Sequence, residues 1–421
     1  MNVTIKPTKL SGNIQIPPSK SLSHRAIIAA SLAEGKSIIS NVLYSKDIKA
    51  TIDAMRACGA TIIEHESSLE IIGSKVKRIK DVINANESGS TIRFMIPIAL
   101  VNDSPIEFRG ENHLVKRPLD TFFEIFDNQN IEYERGTDYL PLKVKSGLKN
   151  GVFNVRGDIS SQFITGLLYA LPMLDGDSTI KITTNLESKG YIDLTLDMLS
   201  MFGINIENRN YQEFFIKGNQ EFKPHDYTIE GDFSQSAFFL VADCLGADIK
   251  LSCMNMNSHQ GDKKILNDIS DFKSPIHYEN LLLYCENTDT KGCVIDFSQS
   301  PDLGPALTVL AALSIGDSEF INASRLRIKE CDRITCMKEE LEKLGAKIDE
   351  HEDGMTIHGV RELKGNVVNS HNDHRVAMAL AMASLKTKGE IKILNAGCVS
   401  KSYPNFWSVF ESLGGNIIYE D

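Results

Sequence analysis

Laid against itself, the chain repeats. An amphipathic helical segment closed by glycine and followed by a short strand recurs along it: Asp53-Ala54-Met55-Arg56-Ala57-Cys58-Gly59, Leu196 to Gly203, Glu340 to Gly345 and Val409 to Gly414. Glycine fits these stops because the residue after a helix often needs positive φ. Weaker copies put Asn130 and Ser274 at the same point, and asparagine tolerates the left-handed region too. The stops at 59, 130, 203, 274, 345 and 414 are spaced by about 70 residues, which marks six copies of one unit.

A second helix type keeps the same spacing. Each copy opens with small or polar residues and runs into an apolar segment: Pro18-Ser19-Lys20-Ser21, Ser88-Gly89-Ser90-Thr91, Ser160-Ser161-Gln162-Phe163, Phe233-Ser234-Gln235-Ser236, Ser300-Pro301-Asp302-Leu303 and Asn372-Asp373-His374-Arg375. Such openings suit N-caps, where side-chain oxygens meet the unpaired amides of a first turn. Between the helices lie β-rich runs such as Ser68 to Ile72, Gly151 to Val155 and Glu390 to Leu394. Two helices and short strands per copy predict α/β layers throughout.

The 421 residues are enough for two or three domains with sizeable cores. With 56 acidic against 45 basic side chains the net charge is -11, which argues against nucleic acid or an anionic membrane as a partner. Residues 1–7 lack an apolar core of signal-peptide length, and stretches such as Phe94 to Val101 fall far short of the ~20 apolar residues of a membrane helix. Eight cysteines without a CxxC pair suggest neither a disulfide framework nor a zinc ribbon. A reduced, cytoplasmic protein is expected.

Against this acidic background, cations gather at helix entries: Lys20, Arg25, Arg93 and Arg375 on the second type, and Arg117, Lys189, Arg327, Lys329, Arg333 and Lys401 near the first. A helix N-terminus already attracts phosphate and carboxylate, so this recurrence predicts an anion-collecting site. Three segments are densest: Pro17 to Arg25, Arg325 to Arg333, and His371 to Arg375. His371 and His374 lack the further ligands of a zinc site. There is no GxSxG elbow, no GxGxxG and no GxxxxGK[ST], so neither a serine hydrolase nor a nucleotide cofactor is indicated.

Taken together, these motifs resemble the 5-enolpyruvylshikimate-3-phosphate synthases over essentially the whole chain. They are Pro-Ser-Lys-Ser at 18–21 with Arg25, Gly89 in Ser-Gly-Ser-Thr, Arg117-Pro118, Ser160-Ser161-Gln162-Phe163, Ser188 with Tyr191-Ile192-Asp193, Asp302, Arg327-x-Lys329-Glu330-x-Asp332-Arg333, Asn372-Asp373-His374-Arg375 and Lys401. The resemblance implies a two-domain inside-out α/β barrel of six βαβαββ repeats, three per domain. Residues 19–228 would form one domain and 1–18 plus 229–421 the other, with the active site in the cleft between them. It implies transfer of the enolpyruvyl group of phosphoenolpyruvate to the 5-hydroxyl of shikimate 3-phosphate, with release of phosphate and no metal or organic cofactor. Position by position, Lys20, Ser21, Arg25, Ser160, Ser161, Gln162, Ser188, Tyr191, Asp302 and Lys329 match shikimate-phosphate binders. Lys20, Gly89, Arg117, Gln162, Arg333, Arg375 and Lys401 match phosphoenolpyruvate binders. Asp302 matches the base at the 5-hydroxyl; Glu330, with Lys20, matches the proton-delivering group.

The residue types suit that chemistry in their own right. Two polyanions bound together need several cations to offset their repulsion, and arginine forks hold phosphate and carboxylate bidentately. Addition to the enol ether needs one proton removed and one delivered, work for two carboxylates in different surroundings. The chain departs from a common family pattern at Glu87-Ser88-Gly89-Ser90, where Asn-Ala-Gly-Thr is frequent, and at Phe94, where proline is common. Two rivals remain: the sister transferase acting on UDP-N-acetylglucosamine, whose Gly-Ala-Lys-Asn opening and loop cysteine are missing here, and a non-catalytic anion-binding protein of the same fold.

Overall fold

The computed structural model describes residues 1–420. Among them are twelve α-helices, two for each copy of the repeat: α1 (Lys20–Leu32), α2 (Lys46–Ala57), α3 (Gly89–Ala99), α4 (Asp120–Gln129), α5 (Ser161–Ala170), α6 (Lys189–Met201), α7 (Phe233–Cys244), α8 (Ile265–Asp271), α9 (Gly304–Ala312), α10 (Arg333–Lys343), α11 (His374–Ala383) and α12 (Phe406–Ser412). The odd-numbered helices are the second type of the sequence pattern, and they are core elements. Every residue of α7, α9 and α11 is buried, which is why these segments are apolar all round. The even-numbered helices are one-sided; in α2 Ile48, Ile52 and Met55 face inward while Lys46, Lys49 and Asp53 are exposed.

Six four-stranded sheets accompany the helices, and all share one topology: a parallel pair extended by two antiparallel strands. In the clearest copy, Val82–Asn84 runs through α3 to the parallel strand Ile106–Arg109, then through α4 to the hairpin Tyr133–Arg135 and Leu142–Val144. That order is βαβαββ. Three copies borrow a strand from elsewhere in the chain. Ser11–Gln15 lies parallel to Asp248–Ser252 and serves as the first strand of the copy containing α7. Tyr227–Thr228 does the same for Gly35–Ser40 in the copy containing α1. The last copy is completed by Asn2–Lys6, which pairs with both Ile391–Leu394 and Asn416–Glu420.

The chain divides into two compact units, Met1–Ser19 with Glu230–Asp421, and Lys20–Ile229, each holding three of these sheets. In the second unit α3 and α5 approach closely at Gly166, where a Cβ would come within 2.4 Å of the Arg93 carbonyl oxygen. In the first unit α7, α9 and α11 pack pairwise. No helix among the described residues is long and apolar enough to cross a membrane.

The helix stops fall where the repeat put them, with one exception. Gly59, Asn130, Gly203, Gly345 and Gly414 all have positive φ. In the fourth copy the left-handed residue is Lys273, at φ 68°, and not Ser274. Ser274 is buried and donates its hydroxyl to the Glu286 carbonyl at 2.8 Å, so the turn closes one residue early. A lysine there carries the left-handed steric cost of roughly 1–2 kcal/mol, of which glycine's greater chain entropy returns part. Lys273→Gly is therefore expected to raise stability by about 0.5–1 kcal/mol in urea unfolding, with an unchanged m-value.

Candidate active site

In the unit Lys20–Ile229 the helix entries are laced together by polar side chains. Lys20, in the first turn of α1, donates to Asp47 of α2 at 2.8 Å. Arg25 is buried among protein acceptors: Nε donates to Thr195 Oγ1, Nη1 to the Ser21 carbonyl and Nη2 to the Tyr191 carbonyl, each at 2.9 Å. Its guanidinium also lies 5.4 Å from the Phe94 ring centre, and burial draws its pKa down to about 10, so it stays cationic at neutral pH. Arg25 thus braces the start of α1 against α6. Ser160 caps α5 by accepting from the Gln162 amide at 3.3 Å. The Gln162 side chain donates to Ser90 Oγ at 2.9 Å and accepts from Arg93 at 2.8 Å, tying α5 to α3. Ser188 precedes α6 in the left-handed region, at φ 55°.

Gly89 is small for a visible reason. A Cβ built on it would lie 2.5 Å from Arg117 Nη1 and 2.9 Å from Cζ, so the guanidinium sits flat on the first residue of α3. Ser88 caps that helix, and a buried hydrogen-bonded chain runs from it to α1: Ser88 Oγ, Thr91 Oγ1, Thr51 Oγ1 and His24 Nδ1, with links of 2.8, 2.7 and 2.7 Å. Burial, reinforced by Lys20 and Arg25, pushes His24 well below the ordinary histidine range, leaving a neutral ring beside two cations. The Phe94 ring meets His24 edge-on at 6.4 Å.

The other unit carries an interlocked set of charges. Asp302, just ahead of α9, accepts from Lys329 at 3.1 Å, Arg333 at 3.0 Å and Arg375 at 3.1 Å. Arg333, only 1% exposed, opens α10 and also donates to Glu330 at 2.7 Å and Asp373 at 2.8 Å. Asp373 caps α11, accepting from the Arg375 amide at 2.8 Å. Arg375 reaches the Asp302 carbonyl and Ser234 Oγ at the start of α7, and Lys401 donates to the Asn372 carbonyl at 2.8 Å. Burial alone would raise the Asp302 carboxyl, but Arg375, Lys329 and Arg333 outweigh it and hold it well below the usual range. Burial lowers Lys329 to about 8 although Asp302 opposes the shift.

Each unit thus gathers its share of the sequence-predicted residues. Lys20, Ser21, Arg25, Gly89, Arg117, Ser160, Ser161, Gln162, Ser188 and Tyr191 belong to one; Asp302, Lys329, Glu330, Arg333, Arg375 and Lys401 belong to the other. Two of the cations noted at helix entries face elsewhere. Arg327 pairs with Asp332 and Glu350 at 2.8 Å each, and Lys189 lies 5.4 Å from the Tyr211 ring centre. Asp47, Asp373 and Ser234 were missed as site residues. All three stand in the first turn or cap of a helix, a position visible in the sequence, but their second role as partners of cations depends on tertiary approach. Among the described residues, one group of metal-capable side chains comes together, Glu339, Glu340 and His371. The Lys343 ammonium lies 2.8 Å from both Glu340 oxygens, so that group is an ion-pair network.

Solved structures share this architecture. An EPSP synthase from Acinetobacter baumannii superposes with a TM-score of 0.81 at 24% identity, covering 99% of this chain and 100% of that one. The enolpyruvyl transferase NikO from Streptomyces tendae gives 0.82 at 15% identity, covering 100% and 98%. The fold is that of the enolpyruvyl transferases. Within that class the sequence is more specific: the EPSP synthase (3-phosphoshikimate 1-carboxyvinyltransferase) family pattern matches residues 5–410, and the chain belongs to that family. The 3-phosphoshikimate 1-carboxyvinyltransferases of Clostridium perfringens, 50% identical over 416 residues, and Clostridium acetobutylicum, 51% over 420, are matched over 98% of their lengths, and they cover 98% and 99% of this chain.

Adding one methyl group at Gly89 tests the Arg117 geometry. Gly89→Ala is expected to displace the guanidinium and raise the KM for an anionic substrate held there by about tenfold or more, with little change in stability. Steady-state kinetics beside a melting curve separates the two effects.

Proposed function

We propose that this chain transfers the enolpyruvyl group of phosphoenolpyruvate to the 5-hydroxyl of shikimate 3-phosphate, releasing phosphate, the EPSP synthase reaction of the shikimate pathway. Family membership with about 50% identity over the full length supports the activity. The observation that carries the mechanism is the grip of Lys329, Arg333 and Arg375 on Asp302. A carboxylate is there held in place among the cations that its substrates need.

In this reading Ser21, Arg25, Ser160, Ser161, Gln162, Ser188, Tyr191, Lys20 and Lys329 serve shikimate 3-phosphate. Arg117 on Gly89, with Lys20, Gln162, Arg333, Arg375 and Lys401, serves phosphoenolpyruvate. Asp302 accepts the 5-hydroxyl proton as the oxygen attacks C2 of phosphoenolpyruvate, and Glu330 or Lys20 delivers a proton to the methylene carbon. Elimination returns that proton and expels phosphate. Proton transfers of this kind each contribute roughly 10²–10⁴ in rate. The arginines also neutralise charge on the departing phosphate, and because they are already buried and bonded they need little reorganisation to do so. The chain is read as a monomer working in the cytoplasm, and none of these steps calls on a metal or organic cofactor.

Incubation with both substrates in the presence of a chelator should release phosphate in proportion to 5-enolpyruvylshikimate 3-phosphate formed. Release with UDP-N-acetylglucosamine as acceptor and none with shikimate 3-phosphate would overturn the assignment, and no release with either would favour a non-catalytic anion binder.

A second test uses Lys329. With a free-protein pKa of about 8, it is largely protonated at pH 7 and mostly neutral at pH 9.5. An anionic ligand favours the protonated form, so binding takes up a proton above pH 8 and the KM for shikimate 3-phosphate should climb there, approaching about tenfold per pH unit. Lys329→Met should start from a higher KM and lose that limb. An identical alkaline slope in the variant would remove Lys329 from the binding set.

A further inference from the structure

We propose that Glu340 is a positioning residue for the phosphoenolpyruvate side of the reaction: a buried carboxylate on α10 that fixes the loop Asn369 to Asp373 and, through that loop, Arg333, Arg375 and Lys401. The inference rests on the functional reading above, in which these three cations serve phosphoenolpyruvate.

Glu340 lies two turns beyond Arg333 on the same face of α10, and it is 0% exposed. A carboxylate so placed is costly unless each oxygen is satisfied. Here Oε2 accepts the Asn369 amide at 2.9 Å and Oε1 accepts from His371 Nε2 at 2.7 Å, with Lys343 at 2.8 Å from both. Burial raises its proton affinity, but Lys343, the Asn369 amide and His371 together hold it below the ordinary range, so it is ionised.

The loop needs this grip. His371 and Asn372 are consecutive non-glycine residues in the left-handed region, at φ 51° and 58°. Asparagine tolerates that region, but histidine is strained there, and such strain persists only where the surroundings enforce it. The loop's functional atoms follow at once. The Asn372 carbonyl accepts from Lys401 at 2.8 Å, and Asp373 accepts from Arg333 Nε while capping the helix that carries Arg375. Glu340 touches none of these cations, yet the same α10 face that presents Arg333 also sets the acceptors that aim it. If the loop relaxes, the Asn372 carbonyl and the Asp373 carboxylate move together, and three cations lose their alignment.

The test compares the wild type with Glu340→Ala, Glu340→Gln and His371→Ala by steady-state kinetics in both substrates, with melting curves. Wild-type phosphate release from the two substrates checks the functional reading by itself; its absence would defeat that reading before any variant is compared. Given an active wild type, Glu340→Ala should raise the KM for phosphoenolpyruvate by about tenfold or more and the KM for shikimate 3-phosphate by no more than about twofold. Glutamine offers one acceptor to the Asn369 amide and an amide donor to the other His371 tautomer, so Glu340→Gln should recover to within about threefold of wild type. Should Glu340→Ala fail to fold, His371→Ala removes one of the two tethers from a partly exposed site and should shift the same KM by about threefold. Lower melting temperatures with both KM values unchanged, or equal rises in both, would overturn the proposal.

Discussion

Arg333 is the interaction on which the first unit's chemistry depends. A guanidinium cannot be buried alone, and this one is surrounded by the carboxylates of Asp302, Glu330 and Asp373. Removing one partner of a buried pair typically costs ~3–5 kcal/mol, because the other charge is left uncompensated. Each of these carboxylates is therefore fixed by Arg333 as firmly as it fixes Arg333. The set also spans four elements, since Asp302 precedes α9, Arg333 begins α10, Asp373 caps α11 and Arg375 reaches Ser234 on α7. The polar network and the packing of the apolar helices hold one another in register.

The repeat explains how so many charged groups can be buried at all. A buried helix must satisfy its first amides. In four copies a side-chain cap does so: Ser88, Ser160, Asp232 and Asp373. Small polar residues at these positions solve a structural problem, and the helix polarity adds a site for anions. The repeat carries both features from copy to copy. The arginines and lysines are the divergent part, differing from copy to copy while the caps and the helix stops recur.

Much of this was legible in the sequence because local rules fixed it. Glycine or asparagine stops at 59, 130, 203, 345 and 414, capped entries and apolar runs each follow from backbone sterics or hydrogen bonding within a few residues. Lys273 escaped because nothing local distinguishes it from Ser274; the burial of the serine against the Glu286 carbonyl decides the turn. The segment Arg325 to Arg333 shows the same limit. Arg327 and Lys329 are two residues apart and alike in type, yet one pairs with Glu350 and the other with Asp302. Glu340 reads as one of several charges on an amphipathic helix, beside exposed Glu339, Glu342 and Lys343. Only the approach of the Asn369 loop reveals that its face points inward.

The strong hold on Asp302 raises a question of reactivity, since a carboxylate kept so far below its ordinary range is a weak base. The electrostatics supply an answer. Lys329, Arg333 and Arg375 are paired with the carboxylates of Asp302, Glu330 and Asp373, so the cluster is nearly balanced in charge. In the proposed reaction, a phosphate and a carboxylate arriving on Arg333 and Arg375 would compete for the same donors that hold Asp302. Every pKa unit by which Asp302 rises corresponds to about 1.4 kcal/mol of lost interaction with those cations. On that reading, phosphoenolpyruvate binding would raise the basicity of Asp302 from its low value in the free protein. The proposed base would then become competent through the arrival of the molecule that the hydroxyl is to attack.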